Sequence, residues 1–192
     1  RGGDHLRIRT PVDSLRDFET NYEYEPLFVS EKEFALLDMP KHVKDEIFGD
    51  PPHSIHIPKM AEYGEELLVL LNAFGLCIRP PVLMTIGPSM LAKAFNAIFG
   101  YDLCEDALLE HAKRITNMQH IFNLKRGLTI KEYSFPGRFY KEHIDYKGGT
   151  RPPLDKKKVN KAVMEYFKQR GWDASARPKE ETIKNLGIDK II

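Results

Sequence analysis

The chain has 192 residues, of which 42% are hydrophobic and 30% charged, and its formal net charge is +1. This length and composition suit one sizeable globular domain or two small ones. The near-zero charge gives no indication of nucleic acid or anionic membrane binding. No apolar run approaches the ~20 residues that span a bilayer. Two cysteines, Cys77 and Cys104, are too few for a disulfide framework. We therefore expect a cytoplasmic protein and, because the chain begins with Arg1, a piece of something longer.

The chain opens with a polar, glycine-rich stretch over residues 1–7. Its two adjacent glycines permit a tight or left-handed backbone, so a turn is the simplest interpretation. Asp4, His5 and Arg7 also provide polar groups that could bind a ligand. The residues alone leave both interpretations open.

Helix signals become clear at Ser30. Ser30 and Glu33 fit the capping-box pattern, in which each side chain accepts a hydrogen bond from the other's backbone N–H, so we expect a helix to about residue 37. Pro40 favours the start of a second helix, and Gly49 favours its end.

The loop over residues 49–58 contains His53 and His56. Two histidines could hold a metal ion only with further ligands, and this loop offers too few of them for a metal site to be favoured. The same loop marks a possible sub-boundary near residues 50–58 within one helical region over residues 1–192. A long helix is expected to begin near Pro58.

The most apolar run, Leu67–Leu71, predicts a helix buried nearly all round. Pro80 and Pro81 are expected to stop it, because a prolyl ring lacks an N–H and clashes with the preceding turn. Cys77 would then follow a buried helix, just after Gly75, which lets another group approach closely. A free cysteine there is usually a small core side chain. The alternative is a thiolate metal ligand in a dry pocket, with partners from elsewhere.

Two amphipathic helices are predicted next. The first covers residues 90–99 and ends at Gly100, and the second begins near Asp102 and ends at Gly127. The residues expected on the inner stripe of the first are Leu91, Ala94, Phe95 and Ile98. Those expected on the inner face of the second are Leu108, Ala112, Ile115, Gln119 and Phe122.

Residues 128–153 are expected to be irregular, with proline and glycine turns. Asp155 favours the start of a last long helix with three solvated lysines in its first turn, and Trp172 is expected to pack back on the bundle. A short helix should begin near Pro178 and end at Gly187. About seven helical segments without a convincing alternating strand predict an all-α fold, an irregular bundle with long loops.

Several stretches of this sequence recur, in the same order, in one family. They are Arg1-Gly2-Gly3-Asp4-His5, Gly75-Leu76-Cys77, Arg114-Ile115-Thr116-Asn117 with Phe122–Gly127, Phe135-Pro136-Gly137-Arg138-Phe139, and Tyr166–Trp172. Together they resemble the helical C-terminal part of the tungsten-dependent aldehyde ferredoxin oxidoreductases. The resemblance covers essentially the whole chain, more loosely over residues 8–60.

This resemblance implies an enzyme that oxidises aldehydes to carboxylic acids. Electrons would pass from a tungsten bis-pterin (tungstopterin) centre to a [4Fe–4S] cluster and then to ferredoxin. A β-rich N-terminal domain outside this chain would hold the pterins. An upstream Cys-x2-Cys-x3-Cys motif would supply the other cluster thiolates. By itself this chain would then be inactive and bind neither cofactor. A homodimer is compatible with the resemblance.

The resemblance also assigns site residues. Cys77 matches the remaining cluster ligand, and His5 matches a histidine near the tungsten that is proposed to act in proton transfer. Arg7 stands where the family commonly has a pterin-binding lysine, and Leu76 where a backbone contact to the pterin is made. Asn72 stands where the family usually has aspartate, which replaces a charged acceptor with an amide.

Two alternatives stay open. Relatives with the same scaffold reduce other acids or activated aromatic rings, so the substrate is not fixed by the resemblance. A cofactor-free helical interaction module would belong to another functional class. A cysteine motif upstream in the complete gene would favour the enzymes, whereas a gene that begins near Arg1 would favour the module.

Overall fold

The computed structural model describes residues 31–49, 55–77, 86–146 and 149–191. Within these ranges the chain forms a bundle of α-helices with one small hairpin, which confirms the predicted fold class. The helices are α1 (Glu31–Leu36), α2 (Lys41–Ile47), α3 (Ile57–Ala73), α4 (Pro88–Phe99), α5 (Glu105–Lys125), α6 (Lys156–Gln169) and α7 (Glu180–Asn185). The predicted capping interaction of Ser30 lies outside the described residues.

Helix α3 is the centre of the bundle, and it packs against α2, α5 and α6. The predicted all-round burial of Leu67–Leu71 is confirmed, since four of these side chains are buried and Val69 is half-buried. The larger core is built around them. It contains Leu37, Met39, Ile47, Phe48, Met60, Tyr63, Leu67, Leu70, Leu71, Leu91, Ala92, Leu108, Leu109 and Ala112.

The N-terminus of α3 is joined to the end of α2. The His56 backbone N–H donates to the Ile47 carbonyl at 2.7 Å. The same histidine caps α3, because its Nδ1 accepts the Lys59 backbone N–H at 3.3 Å. Residues on both sides of the predicted sub-boundary at 50–58 also contact each other, since Lys59 Nζ donates to a Glu46 oxygen at 2.7 Å. Residues 50–54 of that boundary lie outside the described ranges.

Helix α4 begins at a glycine that no other residue could replace. The Gly87 N–H donates to the Asp38 side chain at 2.8 Å, and a Cβ on this glycine would lie 1.7 Å from the Asp38 carbonyl oxygen. The helix ends at Gly100, which has a left-handed φ of 71°. The predicted inner stripe is partly wrong: Leu91 is buried, but Ala94 and Ile98 are exposed. Only the first half of α4 reaches the core.

Helix α5 has its predicted ends but a different inner face. Lys125 is its last residue and Gly127 follows in the left-handed region, as expected. Cys104, not Asp102, precedes its first turn, so Cys104 is a residue at the start of this helix, and its thiol is exposed. Gln119 and Phe122, which we expected inside, are exposed. The buried residues are Leu108, Leu109, Ala112, Thr116, Asn117, His120 and Ile121.

A smaller core surrounds Trp172, which confirms that this side chain packs back on the bundle. The Trp172 and His120 rings are stacked with centroids 3.7 Å apart, and the indole N–H donates to Asn117 Oδ1 at 2.8 Å. Phe167 and the completely buried Ala176 complete this core. Two of the polar residues on the inner face of α5 are therefore partners of one tryptophan.

The segment between α5 and α6 contains two 3-10 turns and a hairpin that the sequence did not predict. The strands β1 (Ile144–Tyr146) and β2 (Gly149–Arg151) pair antiparallel, with Ile144 opposite Arg151. Three residues a strand are too few for an alternating pattern to be visible. Asp155 caps α6 as predicted, accepting two backbone N–H groups. None of the described helices is both long and apolar enough to cross a membrane.

Candidate functional site at the end of helix α3

Helix α3 ends in a Schellman motif built on Gly75. The Leu76 N–H donates to the Leu71 carbonyl at 2.8 Å, and the Gly75 N–H donates to the Asn72 carbonyl at 3.1 Å. Gly75 has a φ of 69°, which an L side chain rarely adopts. The helix thus ends at Ala73, several residues before Pro80 and Pro81, and the expected proline stop is wrong.

The structure brings three of the predicted site residues together on one exposed turn. Asn72, Leu76 and Cys77 all lie at the surface of the described chain. The expectation that Cys77 is a core side chain is wrong within the described chain, where Cys77 is exposed. The buried face of α3 ends at Leu71, and the left-handed turn at Gly75 then directs the backbone outward. His5 and Arg7 lie outside the described residues.

An aromatic cluster adjoins this turn. Phe74, which follows the last residue of α3, has its ring 6.0 Å from that of Phe95 on α4. Phe95 in turn lies 4.8 Å from Phe99 and 5.4 Å from Tyr101, measured between ring centroids. The last turns of α3 and α4 therefore share one aromatic surface beside the predicted site residues.

A buried polar network between α3 and α6 was missed by the sequence analysis. The Arg170 side chain is only 1% exposed, and it donates to Glu66 at 2.9 Å and to Glu65 at 2.6 Å. It also donates to the Glu62 carbonyl oxygen at 3.3 Å. Tyr166 donates to the Glu65 carboxylate and accepts from Arg170. The available signal was the spacing of the three glutamates, which places them on one face of a largely apolar helix.

The network has three carboxyl groups and one guanidinium, and this imbalance affects the pKa values of its members. Burial raises the pKa of Glu66 to about 7, although the Arg170 charge opposes the rise. Burial alone would lower the pKa of Arg170, but Tyr166 and the carboxylates together raise it above its ordinary value. The guanidinium therefore stays charged, and Glu66 exchanges its proton near neutral pH.

Two other polar features lie away from the C-terminal end of α3. A cleft of about 220 Å³ lies between α2, α3 and α5, and its lining includes no residue of Asn72–Cys77. His56 uses one ring nitrogen to cap α3 and places the other 3.0 Å from a Glu165 oxygen. Across residues 31–49, 55–77, 86–146 and 149–191, no three His, Cys, Asp or Glu side chains could hold a metal ion.

Comparison with known proteins gives one consistent result. Residues 1–188 match the family model described as aldehyde ferredoxin oxidoreductase, domains 2 and 3. Tungsten-containing aldehyde ferredoxin oxidoreductases from Pyrococcus horikoshii and Thermococcus kodakarensis are 32% and 30% identical over 157 residues. These matches cover 78% of this chain and 25% of each relative, so the chain spans about a quarter of their length.

One solved structure shares the fold. It is the active site complex BamBC of benzoyl coenzyme A reductase with 1,5-dienoyl-CoA, with a TM-score of 0.64 and 18% identity. The similarity covers 95% of this chain and 31% of that one. At this level of identity, the likeness concerns the fold alone.

Proposed function

Because the chain belongs to the aldehyde ferredoxin oxidoreductase family, we propose that it works as part of a tungsten-containing oxidoreductase that converts aldehydes to carboxylic acids and passes the electrons to ferredoxin. The observation that supports this proposal most directly is the exposed Asn72–Cys77 turn. Its thiol and amide lie at the end of a helix that the core holds firmly. Such a turn can contact a cofactor bound outside the core of this chain.

Cys77 is the residue that we propose as a ligand of a [4Fe–4S] cluster. Thiolates are the usual ligands of such clusters, which normally take four. An exposed cysteine at a helix end fits one of these positions, since its sulfur can reach a group beyond the helix. The described residues offer no other cluster of metal-binding side chains. We therefore propose that the other thiolates come from an upstream Cys-x2-Cys-x3-Cys motif.

The tungstopterin and the cluster would supply the redox chemistry, and this chain would position them. The Asn72 side chain offers one acceptor and two donors, which suits the polar edge of a pterin. The Leu76 N–H is already bound to Leu71, so a backbone contact from Leu76 would use its carbonyl oxygen. His5 would take or give a proton near neutral pH, and Arg7 would pair with an anionic part of the pterin.

A pair of cysteine variants in the complete protein tests this proposal. Cys77→Ser should lower the iron content and the rate of ferredoxin reduction, because one cluster ligand is lost. Cys104→Ser is the matched control, since this second cysteine is also exposed, and it should change neither quantity. Equal iron content and activity in the Cys77 variant and the parent would remove Cys77 from the ligand set.

Histidine 5 has a separate test. His5→Ala in the complete protein should lower aldehyde turnover about a hundredfold, which is the usual contribution of a positioned acid–base group. Tungsten and iron contents should stay at the level of the parent. Turnover close to the parent's would show that His5 does not move a proton in the reaction.

Reduction of an activated aromatic ring is the second candidate function. The fold shared with the benzoyl coenzyme A reductase complex over 95% of this chain supports keeping it. Assays of the purified complete protein with aldehydes and with an aromatic coenzyme A thioester distinguish the two reactions. A complete protein without tungsten and iron would refute both enzymes and leave the helical interaction module.

A further inference from the structure

The smaller core contains three polar aromatic side chains in direct sequence of contact. The Trp172 indole stacks on the His120 imidazole with centroids 3.7 Å apart and an angle of 6° between the ring planes. The Tyr133 hydroxyl oxygen lies 3.2 Å from His120 Nδ1, on the other side of the imidazole. We call these three residues the Trp172–His120–Tyr133 cluster. It leads from a buried indole to a half-buried phenol, and the proposed function makes no use of it.

The tautomer of His120 is fixed by its contact with Ala176. His120 Nε2 lies 2.6 Å from the Ala176 carbonyl oxygen, which can only accept, so Nε2 carries the hydrogen. Nδ1 of the neutral ring therefore accepts the hydrogen bond from the Tyr133 hydroxyl. Ala176 is completely buried and, among the described residues, is the one non-glycine residue with a positive φ, 62°. Backbone strain of this kind is found more often at functional positions than elsewhere.

The hydrogen bond of Trp172 leaves its indole without a base. The indole N–H donates to Asn117 Oδ1 at 2.8 Å. The Asn117 amide N–H donates to the Lys113 carbonyl at 2.9 Å, which fixes the orientation of the amide. An amide oxygen is too weak a base to take the proton of an oxidised indole. An oxidised Trp172 therefore stays a radical cation, which is a stronger oxidant than the deprotonated indolyl radical.

Tyr133 has the base that Trp172 lacks. A phenol that loses an electron becomes a very strong acid, so it is oxidised readily only where its proton has an acceptor. The neutral imidazole of His120 can accept that proton at Nδ1, because imidazole gains and loses a proton near neutral pH. The two hydrogen bonds thus give the two ends of the cluster different chemistry, with a strong oxidant at Trp172 and a phenol that can be oxidised at Tyr133.

Among the described residues, Tyr166 is a second tyrosine in contact with Trp172, with ring centroids 5.7 Å apart. Its hydroxyl donates to the Glu65 carboxylate, which Arg170 already binds at 2.6 Å. A proton moved to Glu65 would weaken that ion pair and leave the buried guanidinium with less counter-charge. Tyr166 is therefore less suited to oxidation than Tyr133.

We propose that the Trp172–His120–Tyr133 cluster is a one-electron redox site, in which oxidation of Trp172 ends as a radical on Tyr133. A strong one-electron oxidant takes an electron from Trp172. An electron then passes from Tyr133 to Trp172 while the phenolic proton moves to His120 Nδ1, which gives a neutral tyrosyl radical, an imidazolium and a restored indole. A dissolved thiolate then reduces the radical and becomes a thiyl radical, and His120 returns the proton. This activity goes beyond the proposed function and needs neither metal centre.

Photo-oxidation of the complete protein tests the proposal. A light flash on tris(bipyridine)ruthenium(II) with persulfate produces ruthenium(III), a one-electron oxidant. A nitroso spin trap converts tyrosyl radicals into covalent adducts, which mass spectrometry locates. Tyr133 should carry severalfold more adduct than Tyr166, although both residues are half-buried. Adduct on Tyr166 in place of Tyr133 would overturn the proposal.

Two variants show whether the radical reaches Tyr133 through the indole. Trp172→Phe should lower the Tyr133 adduct severalfold, because phenylalanine is not oxidised under these conditions. Tyr166→Phe is the control, since it changes a different neighbour of Trp172, and it should leave the Tyr133 adduct unchanged. Equal Tyr133 adduct in the Trp172 variant and the parent would show that Tyr133 is oxidised directly and would refute the relay.

A third variant tests the proton transfer without disturbing the buried indole. Tyr133→Phe removes only the half-buried hydroxyl, so the flash-induced absorption of the parent minus that of this variant isolates the radical at Tyr133. This difference should rise more slowly in D2O than in H2O, because the electron and the phenolic proton move together. Equal rates in the two solvents, or no difference between the parent and the variant, would refute the role of His120 and Tyr133.

Discussion

Glu66 should make the stability of this chain fall as the pH rises from 4.5 to about 7. Its carboxyl is 3% exposed and shares Arg170 with Glu62 and Glu65. Burial raises its pKa to about 7 in the folded chain, against an ordinary value of 4.5. Between these values the folded chain keeps a proton that the unfolded chain has released. The stabilisation is therefore complete below pH 4.5 and is lost as the pH rises through 7.

The size of the effect follows from the two pKa values. The interval from 4.5 to about 7 corresponds to about 3 kcal/mol in the free energy of unfolding, at ~1.36 kcal/mol per pH unit. This is an upper bound, because neighbouring carboxyls that interact strongly share their titration. Glu66→Gln removes the ionisable group and keeps an oxygen that can accept the Arg170 N–H. The variant should match the parent near pH ~4 and be about 1–3 kcal/mol more stable near pH ~8.5.

Urea unfolding of the 192-residue chain, followed by circular dichroism at several pH values, measures this difference. Subtracting the parent from the variant at each pH cancels the titrating groups that do not interact with Glu66, since both proteins share them. Glu180→Gln is the control for the substitution itself, because the Glu180 side chain is 82% exposed. A difference between Glu66→Gln and the parent that changes with pH no more than that of the control would refute the assignment of a neutral-range proton to Glu66.

Two further predictions concern stability in urea at neutral pH. Arg170→Met should lower the free energy of unfolding by about 3–5 kcal/mol, because it leaves buried carboxylates without their counter-charge. Its control, Arg177→Met at an exposed position, should change it by less than about 0.5 kcal/mol. Similar costs for the two variants would contradict the buried network. Gly75→Ala should cost about 1–2 kcal/mol because of the positive φ. Gly137 is the control, because its surroundings are equally open but its φ is not positive, so it should tolerate alanine. An equal cost at both glycines would contradict the Schellman motif.

The helices could be predicted from the sequence because their signals are local. Pro40, Gly100, Gly127 and Asp155 each act within one turn of the helix they delimit. The burial of Leu67–Leu71 was equally clear, because an apolar run has no polar side to expose. The identity of the residue that ends α3 was not clear. A glycine and two prolines both followed the run, and only the hydrogen bonds of the turn distinguish them.

The inner face of α5 could not be predicted from apolar spacing. Asn117 and His120 are buried because both contact Trp172, far along the chain. The Trp172 indole N–H donates to Asn117, and the Trp172 ring stacks on His120. Phe122 has an apolar side chain but lies outside that contact. Long-range polar pairs of this kind leave no period in the sequence. For the same reason the pairing of Arg170 with α3 could not be predicted from the sequence. The three glutamates of α3 can be read from the sequence, but their partner cannot.

The candidate site was predicted in part. The sequence placed Asn72, Leu76 and Cys77 at the end of a buried helix, and the structure brings these three residues onto one turn. It did not predict that the turn is exposed, because a free cysteine just after a buried helix is usually a core side chain.

Trp172 gives this chain a built-in optical reporter. It is the single tryptophan among 192 residues, and it lies in the smaller core, stacked on His120. Its emission therefore follows the smaller core, whereas the circular dichroism signal is dominated by the long helices of the larger one. Arg170 connects the two cores, since it follows α6 directly and binds α3. Coincident fluorescence and dichroism transitions would mean that the two cores unfold as one cooperative unit.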